Sequence, residues 1–305
     1  MPELPEVETM CRGIAGCVGR RIVAAALPRG GRVRPIATTP RPAALERRLA
    51  GRTIAAVFRR GKRVVIEVAA PGDPPSWLVI EPRMTGLMLV ADPPSATHVR
   101  LELVLAGGRG AAAGRLLFWD QRGLGTIRLL DARGLERACG AAKLGPDGLQ
   151  VTGDELAARL GRSRRAVKVA LLDQRAVAGI GNIYAAEILH RAGLDPRTSC
   201  RRLRADDWLR IAALTRAVLA EAVRHEGSSI GDETYRTATG IAGRFQNRHR
   251  VYGREGRPCN RCRTPIIRIV QAQRSTFYCP QCQRRPGSRT AHKPNRRLSG
   301  SCGTP

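Results

Sequence analysis

Apolar residues recur at helical intervals from Val7 to Val18, and the run stops at Gly19. Beyond it the period changes. Thr53–Phe58, Val64–Val68, Leu78–Ile80, Leu87–Val90, Val99–Leu105, Leu116–Trp119 and Thr126–Leu130 are short runs rich in apolar and β-branched residues, separated by Gly, Pro and Asp clusters. In one of them Val99, Leu101, Leu103 and Leu105 alternate with Arg100, Glu102 and Val104, the mark of a half-buried strand. Many short strands with such punctuation predict a β-sandwich preceded by one helix. Gly134 to Gly148 reads as a linker. Thr152-Gly-Asp-Glu155 is a capping box that opens a helical pattern reaching about Glu226, with Ile211, Leu214, Val218 and Ala222 as an apolar stripe. Gly227 to Gly243 is rich in Gly and Thr and lacks periodicity, which predicts a long mobile loop. The tail from Pro286 is rich in Pro, Ser, Gly and Arg and predicts disorder. No internal repeat interrupts this order.

Length and charge narrow the possibilities. A chain of 305 residues suits two compact domains and a small accessory unit. Its 53 Lys and Arg stand against 25 Asp and Glu, a formal net charge of +28, which favours a polyanionic partner and nucleic acid foremost. No apolar run is long enough to span a membrane, and Glu3, Glu6 and Glu8 interrupt any signal-peptide pattern. The expectation is a cytoplasmic protein with no membrane partner. Of the nine cysteines, Cys11, Cys17, Cys139, Cys200 and Cys302 are scattered and read as free thiols. An odd total without an export pattern argues against a disulfide framework.

Three constellations carry chemistry. Cys259-Asn-Arg-Cys262 and Cys279-Pro-Gln-Cys282 are two pairs whose thiolates can close a tetrahedral shell around one zinc ion. Four protein ligands leave no open position, so such an ion is structural. Ile266–Val270 and Ser275–Tyr278, between the pairs, read as a hairpin with Arg274 near its turn. At the other end, removal of Met1 would free the secondary amine of Pro2, which can attack a sugar carbon and form an iminium. An α-amino group titrates at about 8, and a helix N-terminus disfavours its ammonium further, so the neutral amine is accessible. Glu3 beside it is placed to move protons, although an acidic residue is also what a helix start favours. Third, Ala178-Gly-Ile-Gly-Asn-Ile-Tyr184 leads into a helix over Ile183–Arg191. Glycines there expose N–H groups to which a phosphate can dock, with Asn182 as a further donor, or they serve tight packing alone.

Taken together, Met1-Pro-Glu-Leu-Pro-Glu-Val-Glu-Thr9, Gly179-Ile-Gly-Asn-Ile-Tyr-Ala-Ala-Glu-Ile-Leu189, Val251-Tyr-Gly-Arg-Glu-Gly256 and Gln273-Arg-Ser-Thr-Phe277 resemble the formamidopyrimidine-DNA glycosylase family, in order and in spacing, over residues 2 to about 284. The resemblance implies an α+β multidomain protein. Its parts are an N-terminal β-sandwich with a leading helix (2–136), a linker (137–149), a helix–two-turns–helix domain (150–249), a zinc-finger β-hairpin (250–284) and a disordered basic tail (285–305). It implies a monomer acting on duplex DNA that carries oxidised bases or abasic sites, and work in base-excision repair near the nucleoid. Pro2 matches the Schiff-base nucleophile and Glu3 a proton donor, with Glu6 in support. Lys62 and Arg274 match phosphate contacts that also donate protons for β- and δ-elimination respectively. Asn182, Arg122 and His98 match DNA contacts; Met84, Arg122 and Leu124 match residues that fill the gap left by the extruded base. The loop 227–243 is the expected lid over that base, with Thr234 and Tyr235 as contacts. The motifs favour oxidised purines such as 8-oxoguanine and formamidopyrimidines. The alternatives are the endonuclease VIII type of enzyme, acting on oxidised pyrimidines, and a non-catalytic damaged-DNA-binding protein.

The chain departs from the family pattern in three places. Gly123-Leu124 follows Arg122 where many members have Arg-Phe, Arg263 stands where Gly is usual, and Glu81-Pro-Arg83 before Met84 is atypical. An aliphatic Leu124 stacks less well than Phe, which bears on discrimination of the base opposite the lesion.

Overall fold

The structure, a computed structural model, describes residues 2–28, 34–107, 114–230 and 235–285. Met1, Thr234, Cys302 and the tail from Pro286 lie outside the described residues. Helix α1 (Leu4–Gly13) leads, with Pro5 in its first turn, where the missing N–H has no partner to lose. The helical run expected to reach Val18 tightens after Gly13 into a 3-10 turn at Ala15–Cys17. A side chain at Gly13 would strike Ala238, 2.5 Å from the added Cβ, so the helix end is packed closely against the later chain.

Two sheets follow. Strands β1 (Ile22–Ala26), β2 (Ala37–Thr39), β3 (Thr53–Arg60), β4 (Arg63–Ala70), β5 (Asp73–Glu81), β6 (Gly86–Leu89), β7 (Val99–Leu105), β8 (Gly114–Asp120) and β9 (Thr126–Leu130) form the orders β1-β7-β8-β6 and β2-β9-β5-β4-β3. The pair β2–β9 is parallel and the other pairs are antiparallel. The faces meet over Ile22, Leu103 and Phe118 from one sheet and Ile54, Ile66, Leu78 and Ile127 from the other, with Val7 and Met10 of α1 in the same core. Strands β1 and β2 and helix α2 (Pro42–Leu49) escape the sequence pattern. The first is mostly alanine, the second is three residues long, and α2 buries only Leu45 and Leu49.

Helix α3 (Ala132–Cys139) corrects the expectation of a linker from Gly134. The Asp131 carboxylate accepts the Gly134 N–H at 2.6 Å, and Leu135, Ala138 and Cys139 pack on Val65 and Val79. The helical pattern expected to run to Glu226 divides into α4 (Gly153–Leu160), α5 (Val167–Leu171), α6 (Asn182–Ala192) and α7 (Ala205–Arg224). The capping box of Thr152 and Glu155 opens α4. Gly193, at φ 69, stops α6 in the left-handed conformation that glycine adopts without cost. Ile211, Val218 and Ala222 of α7 face a second core, with Leu214 half-buried at its edge. Leu4 belongs to this second core, so α1 spans both domains.

Strands β10 (Ile267–Gln271) and β11 (Arg274–Tyr278) make the last hairpin. Its two turn residues, Ala272 and Gln273, both have positive φ, 46 and 60, the twist that suits a tight hairpin. Among the described residues, no helix is long and apolar enough to cross a membrane. Cys11, Cys17, Cys139 and Cys200 are free and buried.

Candidate active site and DNA interface

Pro2 and Glu3 precede α1, and their position is set from the far end of the chain. The Glu3 carboxylate accepts N–H donors from Gly181 at 2.6 Å and Ile183 at 2.9 Å, so it closes the N-terminus of α6. The sequence reading offered these donors to a phosphate; the structure gives them to Glu3. The glycines serve that approach. A Cβ on Gly181 would lie 2.3 Å from the Glu3 carboxyl carbon, and one on Gly179 (φ +100) would lie 2.4 Å from Leu4. Gln174 holds this run, accepting from Gly179 at 2.9 Å and donating to the Ile180 carbonyl at 2.9 Å.

Glu6 is buried and works from beneath. It accepts the Glu3 N–H at 2.9 Å, the Tyr184 hydroxyl at 2.5 Å and the Ser228 N–H at 2.8 Å. Burial and the neighbouring Glu3 charge push its carboxyl above the ordinary range, against these donors. Burial and the Glu6 charge hold the Tyr184 hydroxyl well above its usual value, so it stays a donor. Tyr235 points into the same region, its hydroxyl 3.4 Å from the Glu6 carbonyl and its ring in the sandwich core. The expectation that Tyr235 contacts the extruded base is therefore corrected. The described part of the 227–243 loop is also stitched: the Ser229 hydroxyl donates to the Tyr235 carbonyl at 2.5 Å and accepts the Gly243 N–H at 2.9 Å.

Pro2 faces a cavity of about 190 Å³ whose wall includes Lys62, Glu81, Arg83, Gly181 and Arg274. A larger one, about 480 Å³, lies at Gly61, Cys139 and Asp147 and contains none of the expected site residues. Lys62 stands on the tight turn between β3 and β4, where Gly61 takes φ +59. Burial pushes its ammonium down, with Glu3 opposing and Arg274 adding to the push. Next to this turn, Arg59, its side chain 7% exposed, binds Glu8 at 3.0 Å and Asp147 at 2.7 and 3.1 Å, tying α1 and the approach to the helical domain to the Lys62 strand pair. Of the atypical segment, Glu81 pairs with Arg83 at 3.2 Å, and Arg83 adopts φ 55.

Asn182 and Arg274 lie where α6 meets the last hairpin. The Asn182 amide donates to the Ser275 carbonyl at 3.0 Å and its oxygen accepts from Lys168 at 2.6 Å, so this side chain already has protein partners. Lys168 is fully buried and also donates to the Ser275 carbonyl at 3.0 Å and the Thr276 hydroxyl at 2.6 Å. Burial, then Arg274, lowers its ammonium to about 8, with Glu3 opposing. Arg274, the first residue of β11, is exposed.

Met84, Arg122 and Leu124 sit on two loops joined at the β6–β8 pair, where Gly86 faces Asp120. Asp120 is buried; it accepts from the Thr85 hydroxyl at 2.5 Å and the Gly125 N–H at 2.8 Å, while the Thr85 hydroxyl accepts the Arg122 N–H at 3.1 Å. This leaves the Arg122 side chain exposed and Met84 at 38% exposure. Gly123 has φ +58, and a Cβ there would lie 2.8 Å from the Arg34 carbonyl, which accounts for glycine before Leu124. His98 stands apart from the Pro2 cavity, its ring edge-on to Trp119 at 5.7 Å and bonded to Ser95 at 2.8 Å.

The sulfurs of Cys259, Cys262, Cys279 and Cys282 lie within 4.8 Å of one another, with close pairs at 3.9 and 3.4 Å. A tetrahedral zinc with bonds of about 2.3 Å needs sulfurs about 3.8 Å apart, so the quartet fits the ion. Arg263 sits at φ 66, a conformation that suits the glycine usual there. Glu187 braces the approach to this module, accepting the N–H groups of Arg250, Val251 and Tyr252 at 2.9 to 3.0 Å.

The sequence reading did not single out Arg59, Lys168, Glu187 or Asp120 as site residues. Each is a charged residue whose side chain the fold encloses, a property without a local sequence signal; Tyr184 and Glu187 lie inside the Gly179–Leu189 motif, which by itself gives neither a role.

Three family models match along the chain: the formamidopyrimidine-DNA glycosylase N-terminal domain over residues 1–127, its H2TH domain over 144–234, and the zinc finger found in FPG and IleRS over 256–285. The formamidopyrimidine-DNA glycosylase of Chloroflexus aggregans is 44% identical over 289 residues, covering 93% of this chain and 98% of that one. The crystal structure of the MutM (Fpg) protein from Thermus thermophilus is similar with a TM-score of 0.77 at 37% identity, covering 92% of this chain and 98% of that one. A Lactococcus lactis Fpg variant, solved with a Fapy-dG containing DNA, gives a TM-score of 0.79 at 31% identity, covering 93% of this chain and 100% of that one. Likeness of this degree, carried through all three domains in the same order, establishes that the chain belongs to the formamidopyrimidine-DNA glycosylase family.

Proposed function

We propose that this enzyme removes oxidised purines, formamidopyrimidines and 8-oxoguanine, from duplex DNA with Pro2 as the nucleophile, and then cuts the strand at the abasic site. The observation that carries this reading is the position of Pro2, on the wall of a cavity shared with Lys62 and Arg274, beside a Glu3 held by α6. The target carbon is inaccessible within the base stack, so the nucleotide must be extruded first. Met84, Arg122 and Leu124 then occupy the void and offset part of the unstacking cost. The Pro2 nitrogen attacks the anomeric carbon as the bond to the base breaks, its own proton passes to the Glu3 carboxylate, and Glu3 gives that proton to the sugar's ring oxygen as the ring opens to the iminium. The resulting iminium draws electrons from the neighbouring carbon, and β- and then δ-elimination expel the 3′ and 5′ phosphates. Lys62 and Arg274 hold those phosphates and supply protons to them as they leave; Asn182 and His98 take flanking phosphates, and for Asn182 this requires exchange of one protein bond for one to DNA. Zinc holds the hairpin that presents Arg274 and takes no part in the chemistry. The family's work on DNA supports action in the cytoplasm, at the nucleoid.

The test is chemical. Borohydride added during reaction with an 8-oxoguanine duplex reduces the iminium, and peptide mass spectrometry is expected to place the DNA on Pro2. An acyl-blocked Pro2 is expected to give no adduct, because an amide nitrogen is barely nucleophilic. An adduct on Lys62 or another lysine would overturn the mechanism. Single-turnover rates on matched oxidised-purine and oxidised-pyrimidine duplexes decide substrate class.

A further inference from the structure

Helix α6 begins at the Glu3 carboxylate and ends beside the zinc ligands. On its last turn His190 is fully buried, with Nε2 3.6 Å from the Cys259 sulfur. Its other nitrogen, Nδ1, is buried and has no partner among the described residues. A neutral imidazole carries one N–H and one lone pair. A proton on Nδ1 would strand a buried donor and set the Nε2 lone pair against a thiolate. A proton on Nε2 makes an N–H···S bond and leaves only a lone pair unsatisfied, the less costly arrangement. Four thiolates around one divalent ion also carry net negative charge, and Cys259 and Cys279 are fully buried with it. The N–H groups of Arg261 and Cys282 reach Cys259 and Cys279 at 3.5 and 3.4 Å; His190 adds a donor from outside the finger.

We propose that His190 belongs to the zinc centre: its Nε2–H donates to the Cys259 thiolate, so retention of the ion depends on helix α6 as well as on the four cysteines. Groups that donate to a metal-bound ligand orient it and tune its hold on the ion. The consequence reaches further here, because the same helix supplies the N–H groups that hold Glu3 and carries Asn182 against the Ser275 carbonyl. His190 acts through Cys259 and is a positioning residue for the centre.

The inference rests on zinc occupying the four cysteines, and the experiment separates the two. Zinc content of the full-length protein is measured first; a protein purified with the metal available that holds none would sink the zinc reading itself. Release of zinc to a chromogenic chelator is then followed in the unmodified protein, His190→Phe and His190→Gln. Phe fills the space without a donor and is expected to release zinc about tenfold faster or more. Gln restores an N–H near the position of Nε2 and is expected to fall close to the unmodified rate. Equal rates for Phe and the unmodified protein, with zinc present in both, would overturn the proposal. Long-range proton–nitrogen NMR of the unmodified zinc-loaded protein gives a readout that does not depend on a variant folding. Protonated Nε2 with bare Nδ1 supports the bond, and protonated Nδ1 refutes it.

Discussion

The zinc module and the nucleophile site are built in opposite ways. The module's ligands come from one short stretch, with Cys259 and Cys282 separated by 23 positions, and each pair sits on its own tight turn. The nucleophile site is assembled across the chain: the bonds from Gly181 and Ile183 to Glu3 span 178 and 180 positions, and that from Ser228 to Glu6 spans 222. A local site takes its order from a metal and a hairpin. A distributed site takes its order from buried carboxylates that fill the donor positions of distant segments, and it therefore depends on both domains being docked. The two meet at α6, which holds Glu3 at one end and borders Cys259 at the other.

The comparison can be broken most sharply at Glu3. Glu3→Gln removes the proton donor and leaves a side chain that can still accept one N–H from α6. Base excision is expected to fall by about 10²- to 10⁴-fold, while cleavage of a pre-formed abasic site survives. Equal losses in both assays would mean that Glu3 matters mainly as the cap that seats the N-terminus. On the other side, Cys279→Ser is expected to lose zinc, to disorder the hairpin and to weaken lesion-duplex binding about tenfold or more. Arg274→Ala, by contrast, should keep zinc and flatten the salt dependence by about 0.9 in slope, the share of one phosphate. Full zinc content in the serine variant, or an unchanged slope in the alanine variant, would contradict the local picture.

A smaller effect is expected at Leu124. Aromatic stacking contributes about 1–3 kcal/mol per base, and leucine recovers only part of this. Leu124→Phe should raise the ratio of single-turnover rates for cytosine over adenine opposite the lesion, by several-fold at most; a flat ratio would remove this position from opposite-base selection. A further effect, on stability and not on rate, concerns the junction itself. Folded Lys168 titrates at about 8 against 10.5 for an ordinary lysine. Between those values the unfolded chain binds more protons, so the term favours folding as pH rises through this window, and its burden is fully present below about 8. Lys168→Met should remove that rise in the urea midpoint between pH 8 and 10. An unchanged pH profile would show that Lys168 is not the titrating group.

Legibility followed the same division. The strands from Thr53 to Leu130 were readable as short apolar runs between turn residues, with a two-residue alternation in Val99–Leu105, and the stripe on α7 because burial on one face leaves a helical period in the sequence. The capping box at Thr152 and Glu155 was readable because its bonds span three residues. Strand β2 and helix α2 were not, since one is three residues long and the other buries only two of its side chains. At the Gly179–Gly181 run the residues were rightly marked as permitting a close approach, but what approaches is the Glu3 carboxylate, an occupant from the far end of the chain.

The sequence by itself determined the class of fold, the metal quartet and the family, because each of these is written in periodicity, spacing or contiguous motifs. Only the tertiary structure decided how the chemistry is held. Arg59 bridging Glu8 and Asp147, Glu6 accepting from Tyr184 and Ser228, Asp120 accepting from Thr85, and His190 against Cys259 are pairings of polar groups far apart in the chain. A buried polar group must find a partner, but nothing in its own neighbourhood says which one. That choice belongs to the packing of distant segments: within the sandwich for Asp120, across the two domains for Arg59 and Glu6, and against the zinc module for His190.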